Sequence, residues 1–404
     1  MCMRRIKTNR YMYLWLMMGV LFWSVGCLAL SGKPTPAYEF SQEPIVSSAV
    51  FVVQPVPLDQ ALQYFDNELD RLKLETYENW VRQGAKAWFS VYKAGPDNAS
   101  MHSGIVWIVD SEKPLVGYLI VQNGWQYTHD VDIIFTLDYR QVQLTVADDA
   151  LDTMPSFTLM DMQPGEQRAL TIQIPSLSEG EHRISTLYVP GGVKDPDATL
   201  ENLERSRQIN QGAGPSMSIL SVSNKDVLAQ VTSELGGSRL PHALESSIPY
   251  IKTRPFRPEE IVRITSAWLS TSSQLPGAAA ASMTEGWLQA NEVATYPLKL
   301  LGGTSTLYQG DVPFQIGVFW NNVMYQSDHY EVPSRVIYEG ESIPITIQSP
   351  SAPGEYTLVV VVYPYPGYSR AAWSGPIEES YWEMGTDVHI AARMQIIITS
   401  VSGE

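Results

Sequence analysis

Cysteine is nearly absent from this sequence of 404 residues, which contains only Cys2 and Cys27. Both precede residue 30, so the rest of the chain can form no disulfide, thiolate metal site or cysteine nucleophile. The stability of the folded chain must therefore come from buried apolar surface, which a chain of this length can supply.

Basic residues are also scarce, because 27 Lys and Arg stand against 43 Asp and Glu, and the formal net charge is −16. Four of the basic residues lie in the first ten positions: Arg4, Arg5, Lys7 and Arg10. The remainder of the chain is more acidic still, and such a chain repels phosphate backbones. The sequence therefore predicts no nucleic-acid partner.

Motifs of the common enzyme classes are missing as well. There is no G-x-S-x-G, no H-E-x-x-H, no phosphate-binding glycine loop and no zinc knuckle. The histidines are scattered without metal-ligand spacing: His102, His129, His182, His242, His329 and His389. We predict no catalytic residue, no metal and no cofactor, although a Ser-His-Asp arrangement can assemble from distant positions without a motif.

The longest apolar run is at the N-terminus, where residues 11–30 carry no charge and follow the basic residues. A helix of this length just crosses a hydrocarbon core of about 30 Å. A basic flank that stays in the cytoplasm sends the following chain across the membrane. Residues 1–30 are thus predicted to be a signal or anchor helix, with the rest on the exported side of a membrane.

Three outcomes remain open for this segment. It can stay as a membrane anchor, or it can be cleaved near the small residues Ala29 and Ser31. The third outcome follows from Ser24-Val25-Gly26-Cys27, which resembles the lipobox of bacterial lipoproteins except at Ser24, where Leu is usual. That resemblance implies lipidation of Cys27.

Residues 31–86 are predicted to form a linker and one amphipathic helix. Residues 31–57 are rich in Pro and Ser, with one apolar run at 49–53 that could be a strand. A helix is then predicted over 58–83, because apolar residues recur at a spacing of 3.6 residues. These are Leu58, Ala61, Leu62, Phe65, Leu69 and Leu72.

From residue 87 onward the apolar spacing changes to two. Short β-branched and aromatic runs are bounded by Gly, Pro, Asn or Asp, as in 88–92, 105–109, 115–121 and 131–137. Regular short strands with turn signals between them are typical of β-sandwiches. The chain is therefore predicted to be mainly β.

An internal repeat divides this β region in two. Two segments, one starting at Gly165 and one at Gly340, share a Gly-Glu turn, a Thr-Ile-Gln strand centre and a Pro. Each shared feature lies at the same distance from the first glycine of its segment. Both then turn at a second Gly-Glu into another strand. Residues 133–139 also parallel 314–320, and 216–220 parallel 393–397. A repeat of this length indicates two like-folded domains.

We place these domains at 87–222 and 288–404, with a connector at 223–287. Within the connector, Pro258 suits the first turn of a helix, and the apolar residues that follow it suggest a helical stripe. The stripe consists of Ile261, Ile264, Trp268 and Leu269.

The order of Gly-Glu turn, strand, Pro, Gly-Glu turn and strand resembles late strands of bacterial immunoglobulin-like domains, including the adhesion-related class of surface proteins. The resemblance covers the two predicted domains and defines no functional residues. It implies two immunoglobulin-like β-sandwiches displayed outside the cell for binding or spacing. It implies no antibody-type domain, since the Cys…Trp…Cys pattern is missing.

Aromatic residues supply the one candidate ligand site. Rings on loops can stack on sugars or on a protein partner. The densest aromatic segment of the chain includes Tyr365, Tyr368, Trp373, Tyr381 and Trp382. Core packing is the competing interpretation of the same rings.

Acidic clusters are interpreted as helix caps and solvated loops, with calcium binding as the alternative. They comprise Asp148, Asp149 and Asp152; Asp195, Asp197 and Glu201; and Glu378, Glu379 and Glu383.

Together, the features of the sequence predict a non-enzymatic, membrane-anchored protein for binding, adhesion or spacing. A protein or a polysaccharide is the expected ligand. The alternative is an extracellular carbohydrate-active enzyme or a carbohydrate-binding accessory protein.

Overall fold

A computed structural model describes thirteen stretches of the chain. They are 43–65, 68–84, 88–94, 99–101, 106–146, 152–193, 212–213, 216–226, 228–229, 262–269, 285–303, 310–368 and 388–400. All of them belong to one compact unit, Ser41–Glu404. Strands dominate these stretches, so the prediction of a mainly β protein is confirmed.

In the first half of this unit, the described stretches form twelve strands and two helices. The strands are β1 (Val46–Val56), β2 (Trp88–Ala94), β3 (Ala99–Met101), β4 (Val106–Asp110), β5 (Leu115–Asn123), β6 (His129–Leu137), β7 (Arg140–Val146), β8 (Phe157–Met162), β9 (Gln167–Ile174), β10 (Gly180–Val193), β11 (Gly212–Ala213) and β12 (Met217–Val222). The helices are α1 (Leu58–Leu62) and α2 (Glu68–Arg82).

Strand β1 connects the two sheets of the first sandwich. Its first part pairs in parallel with β7, and its second part pairs antiparallel with β9. Hydrogen bonds therefore run through β2-β5-β9-β1-β7-β6-β10-β12-β4-β3 without a break. Pro55 is tolerated because β1 has left β7 by that point, so the missing N–H interrupts no second ladder.

The described part of the second half forms eight strands and one short helix. The strands are β13 (Arg263–Leu269), β14 (Glu285–Gln289), β15 (Val293–Gly303), β16 (Asp311–Trp320), β17 (Val323–Pro333), β18 (Ser342–Gln348), β19 (Gly354–Pro364) and β20 (His389–Thr399). The helix is α3 (Ser334–Tyr338). The strands form a small sheet, β13-β15-β18, and a large sheet, β14-β20-β19-β16-β17.

The two sandwiches share one strand order. The small sheet β13-β15-β18 corresponds to β2-β5-β9, and the large sheet β14-β20-β19-β16-β17 corresponds to β4-β12-β10-β6-β7. Gly165 and Gly340, which open the two sequence repeats, both have positive φ values, +75° and +65°. Glycine adopts this left-handed conformation without strain. This explains why the Gly-Glu dipeptide recurs at the turn before each repeated strand.

The helix predicted within the connector is instead strand β13 of the second sandwich. A bulge between Ile264 and Ser266 breaks the alternation against β15. The buried residues Ile264, Ala267 and Leu269 are consequently spaced by three and then two positions. That spacing imitates a helical stripe, which is why the periodicity misled the prediction.

The linker predicted over 31–86 also has a different structure. Strand β1 is a full member of the first sandwich, and the single helix predicted over 58–83 consists of two helices, α1 and α2. Ala61, Phe65 and Tyr77 from this region pack on Tyr118 and Ile120 of β5. The helical segment thus covers the outer face of the first small sheet.

The predicted N-terminal helix, 1–30, lies outside the described residues, as does Cys27. Within the described stretches, no helix is long and apolar enough to span a membrane.

Candidate functional site at the sandwich junction

The two large sheets pack against each other through their outer faces. Ile134 of β6 and Leu187 of β10 share a buried cluster with Phe319, Val359 and Val361 from the second sandwich. The neighbouring residues on each strand point into that sandwich's own core. We call this shared apolar cluster the junction face; its other buried members are Val189, Met324, Tyr363, Val388 and Ile390.

Continuous apolar runs in the sequence correspond to this junction. Val359, Val360, Val361, Val362 and Tyr363 are all fully buried. A strand with one face in solvent alternates apolar and polar residues, whereas a strand covered on both faces needs apolar residues at every position. The run 359–363 is therefore the sequence signal of a second covered face on β19.

Gly317 of β16 lies against three side chains of this face, Met324, Tyr363 and Phe319. A Cβ atom built on Gly317 would lie 2.8 Å from Met324 Cε and 3.1 Å from Tyr363 Cε2. Any larger residue would push the end of the Met324 side chain and the Tyr363 ring out of their present positions.

A buried glutamine ties the sandwiches together with polar contacts. The amide nitrogen of Gln141, on β7, donates to the carbonyls of Pro155 (2.8 Å) and Asn322 (2.6 Å). Its amide oxygen accepts the backbone N–H of Met324 at 2.8 Å. The backbone N–H of Ile45 donates to the carbonyl of Met324 at 2.7 Å. The backbone N–H and carbonyl of Met324, on β17, thus both find hydrogen-bond partners in the first sandwich.

A second group of contacts surrounds the turn between β6 and β7. The Arg183 guanidinium donates to the Pro364 carbonyl at 3.2 Å and lies 5.8 Å from the ring centre of Tyr139. The Tyr139 ring packs edge-on against Tyr363 at 5.5 Å, and its hydroxyl accepts the N–H of Gly367 at 3.3 Å. These contacts couple the turn to the end of β19.

An open polar cleft of about 450 Å³ lies beside this turn. Its walls come from the chain entering β1, from the β6–β7 turn and from β16 and β17. The lining residues are Pro44, Ile45, Val46, Asp138, Arg140, Gln315 and Ser327. Gln315 donates to the Ser327 hydroxyl across one wall. We call this cleft the junction cleft.

A serine, a histidine and an aspartate meet next to the cleft. His182 Nδ1 lies 2.7 Å from Asp138 Oδ2, and the Ser178 hydroxyl lies 3.4 Å from His182 Nε2. However, Nε2 lies closer, at 2.8 Å, to the backbone carbonyl of Ser178. A carbonyl only accepts, so Nε2 must carry a proton and cannot take one from the serine.

The environment of His182 favours its charged form. Burial lowers the pKa of His182, but hydrogen bonds to Asp138 and to the Ser178 carbonyl and the negative charges of Asp138 and Glu181 outweigh it. The pKa of His182 is therefore raised above its ordinary value. The arrangement is a hydrogen-bonded clamp on the β6–β7 turn, in which Nε2 is already engaged by a carbonyl.

His129, which is fully buried, has the opposite character to half-buried His182. His129 lies between the rings of Trp88 and Trp125, with centroids 6.3 and 6.4 Å away. Burial lowers the pKa of His129, and the positive charge of Arg393 lowers it further. His129 is therefore a neutral part of the first core.

The structure divides the predicted aromatic site. Tyr365 is 1% exposed, and its hydroxyl contacts the backbone of Val262, accepting the N–H at 2.6 Å and donating to the carbonyl at 2.9 Å. It therefore packs in the second core and offers no ring face to a ligand. Tyr368 is half-buried and packs edge-on against Tyr365 at 5.3 Å.

Three of the predicted aromatic residues, Trp373, Tyr381 and Trp382, lie outside the described residues. Most of the acidic clusters also lie there, except for Asp152, which is exposed. In the described part of the chain, no three His, Cys, Asp or Glu side chains converge as metal ligands would.

Comparisons with known proteins add little to this picture. No family model matches the sequence, and no curated protein is similar to it. The fibronectin(III)-like modules of Clostridium thermocellum CbhA are 8% identical, cover 78% of this chain and 97% of their own, and give a TM-score of 0.20.

Two further solved structures are similar at the same low level. The CARDB domain of a Pyrococcus furiosus protein in complex with di-metal ions is 11% identical over 36% of this chain and 100% of its own, with a TM-score of 0.19. Red sea bream transglutaminase is 8% identical over 83% of this chain and 34% of its own, with a TM-score of 0.18. At such scores, neither fold nor function is transferred, and the sandwich assignment is based on the strand pairing described above.

Proposed function

We propose that this protein is a non-enzymatic, membrane-anchored binding protein of the cell envelope, in which two β-sandwiches act as one rigid body. The charge-free segment 11–30 behind a basic flank supports membrane attachment and export. The thiol-free remainder is compatible with an extracytoplasmic location. The bacterial source and the lipid on Cys27 belong to this proposal.

The junction face is the observation that carries the proposal. Flexibly linked sandwiches would present separate surfaces, whereas an apolar interface between two domains restricts their motion. Val361 and Phe319, both fully buried, would be exposed if the sandwiches separated. A body with this interface suits the presentation of a binding surface better than it suits a flexible spacer.

The junction cleft is the binding surface we favour. Arg140 lines it, and among the described residues its guanidinium has no ion-pair partner. Gln315 and Ser327 add hydrogen-bonding groups to the lining, and the Asp138 carboxylate in the same lining is engaged by His182 and the Arg183 N–H. A planar cation beside polar groups recognises carboxylates well. The ligand we propose is a carboxylate-bearing polysaccharide of the cell surroundings.

Binding can be tested with defined polymers. We expect the full-length protein to retain polygalacturonate, which carries carboxylates, and not amylose, which is neutral. Arg140→Ala should weaken retention by about tenfold, the loss of one charge-assisted contact. Arg82→Ala is the matched control, since Arg82 is exposed on α2 and, among the described residues, pairs with Glu78. Equal retention by wild type and Arg140→Ala would exclude the cleft as the site.

Location needs a separate experiment. Intact cells expressing a C-terminally tagged chain should lose the tag when protease is added outside. Labelled palmitate should be incorporated by the wild type and not by Cys27→Ser if the lipobox resemblance holds. A tag that stays protected in intact cells and is released only by lysis would contradict export.

A carbohydrate-binding accessory protein remains the second candidate. It is favoured by aromatic rings beside the cleft, because Tyr139 contacts Gly367 and half-buried Tyr368 follows at once. Rings of this kind stack on sugars without any charge requirement. Retention of amylose that survives Arg140→Ala but is lost in Tyr368→Ala would favour this candidate over the carboxylate site.

A further inference from the structure

The clamp at His182 is held by two groups that only accept hydrogen bonds. Asp138 Oδ2 lies 2.7 Å from Nδ1, and the Ser178 carbonyl lies 2.8 Å from Nε2. A neutral imidazole has one N–H and can satisfy only one of these acceptors, whereas the imidazolium ion satisfies both. The geometry therefore distinguishes the two protonation states of this side chain.

Asp138 transmits that difference into the turn between β6 and β7. Its second oxygen, Oδ1, accepts the backbone N–H of Arg183 at 2.9 Å. Asp138 and Tyr139 both hold positive φ values, +50° and +67°, so this turn depends on side-chain contacts to keep its shape. Deprotonation of His182 removes the positive charge that faces the Asp138 carboxylate. The contact that holds the Asp138 side chain to His182 is thereby weakened.

The same turn and the same arginine reach the second sandwich. Arg183 donates to the Pro364 carbonyl, and Tyr139 contacts both Tyr363 and Gly367. We propose that protonation of His182 tightens the contact between the two sandwiches, so that the junction is firm in mildly acidic medium and loosens in alkaline medium. The inference concerns the fold and holds whether or not the junction cleft binds a polysaccharide.

The charges around the clamp agree in sign with this proposal. Asp138 faces His182 from the β6–β7 turn and Glu181 from its own strand, and both favour the imidazolium. The positively charged guanidinium of Arg183 donates its hydrogen bond to the Pro364 carbonyl. Because the pKa of His182 is raised in the folded protein, the stabilisation is complete below the ordinary value of about 6.5 and is lost as the pH rises through the folded value.

Hydrogen exchange of the full-length chain in detergent tests the proposal. Rates at pH 5.5 to 8.5, corrected for the intrinsic pH dependence of exchange, report local opening. We expect peptides covering 138–140 and 363–368 to open about two- to fivefold more at pH 8.5 than at pH 5.5, the range given by single ion pairs. Peptides from β18 serve as an internal reference and should not change.

Variants show whether the His182 clamp itself causes the pH dependence. His182→Gln should open these peptides at both pH values and remove the pH dependence, and Asp138→Asn should do the same. Ser178→Ala keeps the backbone carbonyl and should behave as the wild type, which a role for the hydroxyl would not allow. A pH dependence that persists unchanged in folded His182→Gln would overturn the proposal.

The wild type alone also provides a decisive result should a variant fail to fold. The midpoint of the opening curve should lie above pH 6.5. A midpoint at or below 6.5, or opening that is flat across the range, contradicts the clamp.

Discussion

The two sandwiches have the same strand order, but their small sheets are covered differently. In the first sandwich α1 and α2 lie on the outer face of β2-β5-β9, where Val91, Tyr118 and Ile120 are buried. On the corresponding small sheet of the second sandwich, Val293 and Leu301 are 60% and 43% exposed. The outer faces of the repeated units thus differ, in addition to the extra strands of the first sandwich.

The comparison shows how a duplicated fold can gain new contacts. Inward-facing residues keep each core closed, so they preserve the strand order of both copies. Outward-facing residues are free to change, and here they make one helix-covered face, one open face and two faces that meet at the junction. A difference between the copies is therefore best sought on outer faces.

The largest effect should come from placing a charge in the junction face. Val361→Asp would bury an unpaired carboxylate and should lower the free energy of unfolding by about 3 kcal/mol or more. Val293→Asp puts the same charge on the open face and should cost no more than about 0.5 kcal/mol. Urea unfolding followed by circular dichroism would measure both; equal stability of the two variants would refute the junction.

The helical cover of the first small sheet gives the next test. Phe65 is 2% exposed and packs on β5, so Phe65→Ala should cost about 3 kcal/mol. Leu301→Ala, on the uncovered small sheet, should cost less than about 1 kcal/mol because little area is lost. Thermal unfolding of both variants checks this, and a Phe65→Ala midpoint equal to that of Leu301→Ala would mean that α1 and α2 stabilise nothing.

Polar contacts across the junction should have a smaller effect. Gln141→Ala removes three hydrogen bonds and leaves the Met324 N–H without its partner, at a cost of about 2 kcal/mol. Gln143→Ala changes the same residue type two positions along β7, where the side chain is half-buried, and should be nearly neutral. If both substitutions are neutral by urea unfolding, the glutamine bridge contributes nothing measurable.

Tyr365 should show the smallest change. Tyr365→Phe removes buried hydrogen bonds to Val262 and should cost about 1 kcal/mol. Tyr356→Phe removes a bond to Ala352 in an exposed position and should cost clearly less. Differential scanning calorimetry resolves such a difference. A Tyr365→Phe protein as stable as Tyr356→Phe would question its place in the second core.

Much of the fold could be predicted because the repeat and the turn residues are local signals. Gly165 and Gly340 are visible as paired turns, and the alternation in 169–174 indicates a strand whatever its neighbours are. The prediction failed where local spacing was ambiguous, as in β13, whose bulge produces a helix-like pattern. It offered a strand at 49–53, within β1, but did not assign that strand to the first sandwich, since one strand shared by two sheets has no distinctive periodicity.

The junction was less accessible to prediction. The run 359–363 shows that a strand is covered on both faces but does not say by what. The contact between Asp138 and His182 joins residues 44 positions apart, through a turn and a strand pairing that no single pattern specifies. Of the predicted aromatic segment, Tyr365 belongs to the core, and the site itself stays a prediction.

The central claim is that the two sandwiches form one rigid body. Spin labels on Met160→Cys and Val293→Cys, both exposed sites on different sandwiches, would report it in a chain with Cys2→Ser and Cys27→Ser. Double electron–electron resonance at pH 5.5 should give a single narrow distance distribution, and Val361→Asp should broaden it. A broad or multimodal distribution in the otherwise unaltered chain would contradict the claim.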